Sequence, residues 1–181
     1  MESTKQKQNK IFDTLKGLFG YKNVMQTPQI VKVVVSTGIG SITDKEKIKL
    51  IPECLAKITG QKASPRSAKK SIATFKLREG DIIGYSVTLR GERMYAFLDK
   101  LLNVAIPRTR DFKGINRSAV DEMGNLTIGV KEHTIFPETA DEELRNVFGL
   151  SITLTTTAKT KEEAEKLFEE LGIPFKKKED K

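Results

Sequence analysis

The chain contains no tryptophan, one cysteine and one histidine in 181 residues. Cys54 alone cannot close an intrachain disulfide. Cys54 with His133 does not make up a zinc ligand set, so no metal site is expected. No apolar run approaches the ~20 residues of a membrane-spanning helix. The opening MESTKQKQNK is polar and has no hydrophobic signal core, which points to a cytoplasmic protein. His133 has no evident Ser or Cys nucleophile to serve. The turn TGIGS (Thr37–Ser41) follows a strand pattern, but Thr43 stands where a third phosphate-loop glycine belongs, and no Walker lysine follows. A turn requiring positive φ explains it better. Neither an enzyme nor a cofactor is expected. A nucleotide-dependent enzyme would need a catalytic constellation that the sequence does not display.

Charge is what the chain does have. It carries 32 Lys and Arg against 24 Asp and Glu, for a net +8. Residues 60–117 hold 13 of the basic and 5 of the acidic side chains, leaving 19 of each elsewhere. The whole excess lies in the middle third. From Lys62 to Arg78 six cations occur with no acid among them. A surface concentrated in this way suits a polyanion. Ile72, Phe75 and Leu77 interleave with the charges, so the segment can pack or stack. Arg90, Arg93, Arg108, Arg110, Lys113 and Arg117 continue the excess, and arginine favours bidentate phosphate contact. No helix-turn-helix or zinc finger reads as a DNA binder, so RNA is the favoured partner. An acidic protein partner for the basic loops is the alternative.

Hydrophobic periodicity gives the elements. Residues 1–9 read as disordered. Ile11, Phe12, Leu15, Leu18 and Phe19 recur at helical spacing before Gly20. Ile30–Val35 reads as a strand. Asp44 caps a helix with Ile48, Ile51, Leu55 and Ile58 on one face, which Pro52 must restart or kink. Ile82–Arg90 alternates, with Ile83, Tyr85, Val87 and Leu89 on one face and Gly84, Ser86, Thr88 and Arg90 on the other. A helix from Glu92 stops before Pro107. Residues 65–80 and 107–125 read as protruding basic loops. Leu126–Val130 and Leu150–Thr157 are strands, and Asp141 to Val147 reads as a short helix. Thr160–Glu163 is a capping box for a last helix ended by Gly172. Each strand shows one apolar face. The expected fold is one α+β domain: a largely antiparallel sheet, helices on one face, long basic loops, and small hydroxyls on the open face.

Seven short motifs stand in one order: VMQTP (Val24–Pro28), GQK (Gly60–Lys62), AKKSIATFKLREG (Ala68–Gly80), VTLRGERMYAFLDKL (Val87–Leu101), PRTRDFKG (Pro107–Gly114), IFPE (Ile135–Glu138) and TTTAKTKEEA (Thr155–Ala164). Together they closely resemble the bacterial type of the large-subunit ribosomal protein L5 family, which binds 5S ribosomal RNA. The likeness runs from about Ile11 to Phe175. It implies an open concave sheet face turned to RNA, and a place in the central protuberance of the large subunit. The partners implied are 5S rRNA, large-subunit rRNA, the peptidyl-site tRNA, a small-subunit head protein and other central-protuberance proteins. The resemblance puts 5S contacts at Ser36, Gln61, Lys62, Thr88 and Arg90. It puts the tRNA loop at Arg66, Lys69, Lys70, Ser71, Phe75, Lys76 and Arg78, and the subunit-bridge loop at Arg108, Arg110, Lys113 and Arg117. Ser36-Thr37 replaces an Asn-Met usual in the family. Serine keeps one donor–acceptor group but not the amide's reach. Thr74 stands where a glycine is common.

Overall fold

The architecture is that of a computed structural model, which describes residues 3–40, 42, 44–110, 112–141 and 147–176. Four α-helices and five strands alternate along it: α1 (Thr4–Phe19), β1 (Ile30–Gly38), α2 (Lys45–Thr59), β2 (Ser64–Ser67), β3 (Ile82–Leu89), α3 (Gly91–Lys100), β4 (Leu126–Val130), β5 (Leu150–Thr156) and α4 (Lys161–Leu171). The strands form one antiparallel sheet in the order β2-β3-β1-β5-β4. The fold is α+β, as the alternation of apolar faces predicts. The helix expected between Asp141 and Val147 falls largely on residues 142–146, outside the described residues.

The chain clusters into two compact units. One comprises the described parts of Met1–Val33, Arg90–Ile128 and Thr153–Lys181; the other comprises Val34–Leu89 and Gly129–Ile152. Three of the divisions fall inside β1, β4 and β5, where no Pro- or Gly-rich linker marks them.

In the first unit α1 packs on α3 and α4. The helices bury Ile11 and Leu15, then Met94, Phe97 and Leu98, then Ala164, Leu167, Phe168 and Leu171. Each large apolar side chain so buried contributes roughly 1.5–3 kcal/mol. From Thr4 onward the polar start of the chain is helical, contrary to expectation. Ser3 and Gln6 form a capping box for α1. Thr4 donates from its backbone N–H to Asp99 Oδ1 at 2.7 Å, and Tyr95 donates to Gln8 Oε1 at 3.2 Å. Polar residues become part of a helix here because α3 supplies their partners. At the other end, Thr160 Oγ1 accepts from Glu163 N–H at 3.3 Å. The Glu163 carboxylate reaches back to Lys159 N–H instead of Thr160, so the expected capping box is half made. After α3 the chain widens into a π-helical turn at Leu101–Ala105, where Ile106 N–H donates to Leu101 O at 2.9 Å.

In the second unit α2 packs on β3 and buries Ile51, Cys54, Leu55 and Ile58. The helix runs without interruption through Pro52 and does not restart. One i→i−4 bond is forgone there, and the buried stripe offsets it. Along β3 the expected two faces hold only at the end: Val87 and Leu89 are buried, but so are Gly84 and Ser86, while Ile83 and Tyr85 are half-buried. Two contacts explain this. Arg66 reaches over Ser86, and Gly84 lies against β1, where an added Cβ would sit 2.7 Å from Thr37 O. The glycines of TGIGS do not have positive φ. β1 simply continues through Gly38, and Thr37 Oγ1 donates inward to Gly149 O at 2.8 Å. His133 is fully buried and stacked on Phe148, and its Nδ1 accepts the Phe148 N–H at 3.3 Å. Its role is structural.

Candidate nucleic-acid interface

The second unit contains Ser36, Gln61, Lys62 and Thr88. Ser36 and Thr88 occupy half-buried positions on β1 and β3, which are neighbours in the sheet. α2 ends at Gly60, whose φ of 69° forms a left-handed cap. This turn brings Gln61 to the sheet. Thr59 Oγ1 donates to Leu55 O at 2.7 Å and accepts Gln61 N–H at 3.4 Å, fixing the turn. Gln61 Nε2 then donates to Thr88 O. Lys62 is exposed beside it. The structure therefore brings Gln61, Lys62 and Thr88 together. Arg90 follows Thr88 by two residues and stands exposed at the N-terminus of α3, in the first unit.

The basic segment is more ordered than a solvated loop. Ser64–Ser67 forms β2, pairing antiparallel with β3, with a register shift between Arg66 and Ser67. Arg66 Nε donates to Ser86 Oγ at 2.6 Å. Beyond β2, Ala68 N–H donates to Asp81 O and Gly80 N–H to Ala68 O, closing the base of an arm. Ile72 and Leu77 exchange both backbone hydrogen bonds near its tip. Glu79 N–H donates to Ser71 Oγ at 2.9 Å. At the tip a 3-10 turn spans Ala73–Phe75, and Lys76 adopts φ 52°, the one non-glycine with positive φ among the described residues. Phe75 is 68% exposed. Lys69, Lys70, Lys76 and Arg78 are all exposed. Among the described residues none of these four, nor Lys62, has a carboxylate partner within salt-bridge distance.

The second basic stretch, in the first unit, divides in two. Arg108, Arg110 and Lys113 are exposed. From Ile115 the chain is docked and not a free loop: Ile115 and Val120 are buried, and a turn is closed by Asn125 N–H donating to Asp121 Oδ1 at 2.7 Å. Arg117 is half-buried and bonded to two carboxylates, Glu165 at 2.9 Å and Glu169 at 2.5 Å. These partners hold its guanidinium pKa above the ordinary value. The Glu169 carboxyl is held below its ordinary value, first by Lys166 and then by Arg117. Sequence reasoning did not pair Arg117 with either glutamate. A signal was present: like charges four apart on a helix repel unless a cation sits between them.

Comparisons with known proteins identify the family. Residues 82–175 match the C-terminus of the ribosomal protein L5 family, and residues 23–78 match Ribosomal protein L5. The chain is 52% identical to the large ribosomal subunit protein uL5 of Natranaerobius thermophilus over 89% of this chain and 90% of that one. It is 50% identical to the uL5 of Flavobacterium johnsoniae over 94% and 93%, and 49% identical to that of Trichlorobacter lovleyi over 93% and 95%. These matches define the class: a ribosomal protein of the large subunit. The chain belongs to the ribosomal protein L5 family. It is accordingly a non-enzymatic protein of the large subunit of the cytoplasmic ribosome, serving translation. No helix among the described residues is long and apolar enough to cross a membrane.

Proposed function

We propose that this protein binds 5S rRNA through Ser36, Gln61, Lys62, Thr88 and Arg90, and anchors it to the large-subunit rRNA in the central protuberance, beside other ribosomal proteins there. The arm carrying Arg66, Lys69, Lys70, Ser71, Phe75, Lys76 and Arg78 reaches the peptidyl-site tRNA. The stretch with Arg108, Arg110, Lys113 and Arg117 serves the bridge to a protein of the small-subunit head. The observation that carries this reading is the set of exposed cations at Lys62, Lys69, Lys70, Lys76 and Arg78 with no carboxylate partner among the described residues. Unneutralised cations on an ordered arm supply salt-dependent affinity for phosphate, while hydroxyl and amide groups on the sheet supply fit to one RNA shape. Crosslinking in cells, followed by sequencing of the attached RNA, tests it. Recovery of 5S rRNA at Gln61, Lys62 and Thr88 and of tRNA at the arm is expected. Protein-only crosslinks that survive nuclease would contradict it.

A further inference from the structure

Arg117 is unlike the other cations of its stretch. Both Nη atoms are bonded to carboxylates of α4, its Nε is buried, and the guanidinium lies 5.3 Å from the centre of the Phe175 ring. A phosphate or carboxylate on a partner would meet a cation that Glu165 and Glu169 already neutralise. Two residues earlier, Ile115 is bridged to the chain just beyond α4: its N–H donates to Pro174 O at 2.8 Å, and its O accepts from Lys176 N–H at 2.9 Å. Gly114, at φ +95°, lies so close that an added Cβ would sit 2.8 Å from Lys176 N. Backbone bonds, ion pairs and a ring contact thus converge on Gly114, Ile115 and Arg117. Lys113, the last exposed cation before them, stands directly against this anchored point.

We propose that α4 and Ile173–Lys176 form a clasp on the root of the 107–117 stretch, and that Arg117 is its positioning residue. It serves the bridge by fixing where Arg108, Arg110 and Lys113 project, and does not touch the partner itself. This deepens the bridge reading above and rests on it. The clasp explains why a cation stands between two glutamates on a helix whose neighbours are acidic. It also explains why the chain continues past Gly172 in contact with a loop some sixty residues earlier.

The test compares Arg117→Gln, the double variant Glu165→Gln/Glu169→Gln and Gly114→Ala with the unaltered full-length protein. Amide hydrogen exchange is read at Ile115 and Lys176, with the β2–β3 amides as a control for global folding. Association of the two ribosomal subunits is read with ribosomes carrying each variant. Exchange at Ile115 and Lys176 rises about tenfold or more in all three, with the β2–β3 amides unchanged. The double glutamate variant weakens association as much as Arg117→Gln does. If the glutamate variant leaves both readouts unchanged while Arg117→Gln weakens association, Arg117 is a contact residue and the clasp is overturned. Unchanged exchange in every variant overturns it as well. Raised exchange with unaltered association upholds the clasp and refutes the bridge reading.

Discussion

Gln61 donates from Nε2 to the backbone oxygen of Thr88 at 3.4 Å, joining the turn after α2 to the end of β3. The bond is long, so the amide keeps capacity for an outside acceptor. The Thr88 hydroxyl is not used in it. Thr88→Val is nearly isosteric and removes that hydroxyl alone. It is expected to cost about 1 kcal/mol of 5S rRNA affinity with folding unaffected. Filter binding alongside a thermal melt checks this; unchanged affinity would mean the hydroxyl faces only water.

The arm separates from the sheet in its effect on partners. Replacing Lys69, Lys70, Lys76 and Arg78 by Ala leaves 5S binding largely intact. Four exposed charges at a few tenths of a kcal/mol each weaken peptidyl-site tRNA retention roughly tenfold. Toeprinting or tRNA dissociation from variant ribosomes measures it. Collapse of 5S binding instead would assign the arm to the other RNA.

Acid should loosen the first unit. Glu169 and Asp121 both have carboxyl pKa values below their ordinary 4.5 and 3.8, the first held down mainly by Lys166 and the second mainly by the Asn125 backbone N–H. A depressed carboxyl contributes stability above its unfolded pKa and loses it as pH falls through the folded one. The unfolding midpoint therefore drops as pH goes below about 4.5. Glu169→Gln lowers stability at neutral pH and flattens the dependence below 4.5, which calorimetry across that range detects.

Gly84 permits the close approach of β3 to β1. Gly84→Ala places a Cβ 2.7 Å from Thr37 O. Backbone has little room to yield, so a loss of about 1–3 kcal/mol is expected. For a chain of this size that lowers the melting temperature by several degrees. Gly40→Ala serves as the control, since its Cβ would enter open space.

Legibility followed the physics of each element. β4 runs Leu126–Val130 in both readings, and β5 ends one residue short of expectation, because alternation against a buried face is a local signal. The start of α1 was hidden because its stability comes from Asp99 and Tyr95, about ninety residues away. β2 was hidden because all four of its residues are exposed, leaving no apolar period to read. At the candidate site, charge density pointed to Lys69, Lys70, Lys76 and Arg78. It could not distinguish Arg117, which is equally cationic but neutralised by a helix some fifty residues later.

The most direct measurement is the affinity of the purified protein for 5S rRNA across a salt series. Phosphate contact by Lys62 and Arg90 alone gives a slope of log affinity against log salt of about −1.5, and further cations make it steeper. A slope of that size or steeper, with much weaker affinity for an unrelated RNA of equal length, is the predicted result. A flat plot, or equal affinity for both RNAs, would contradict the account.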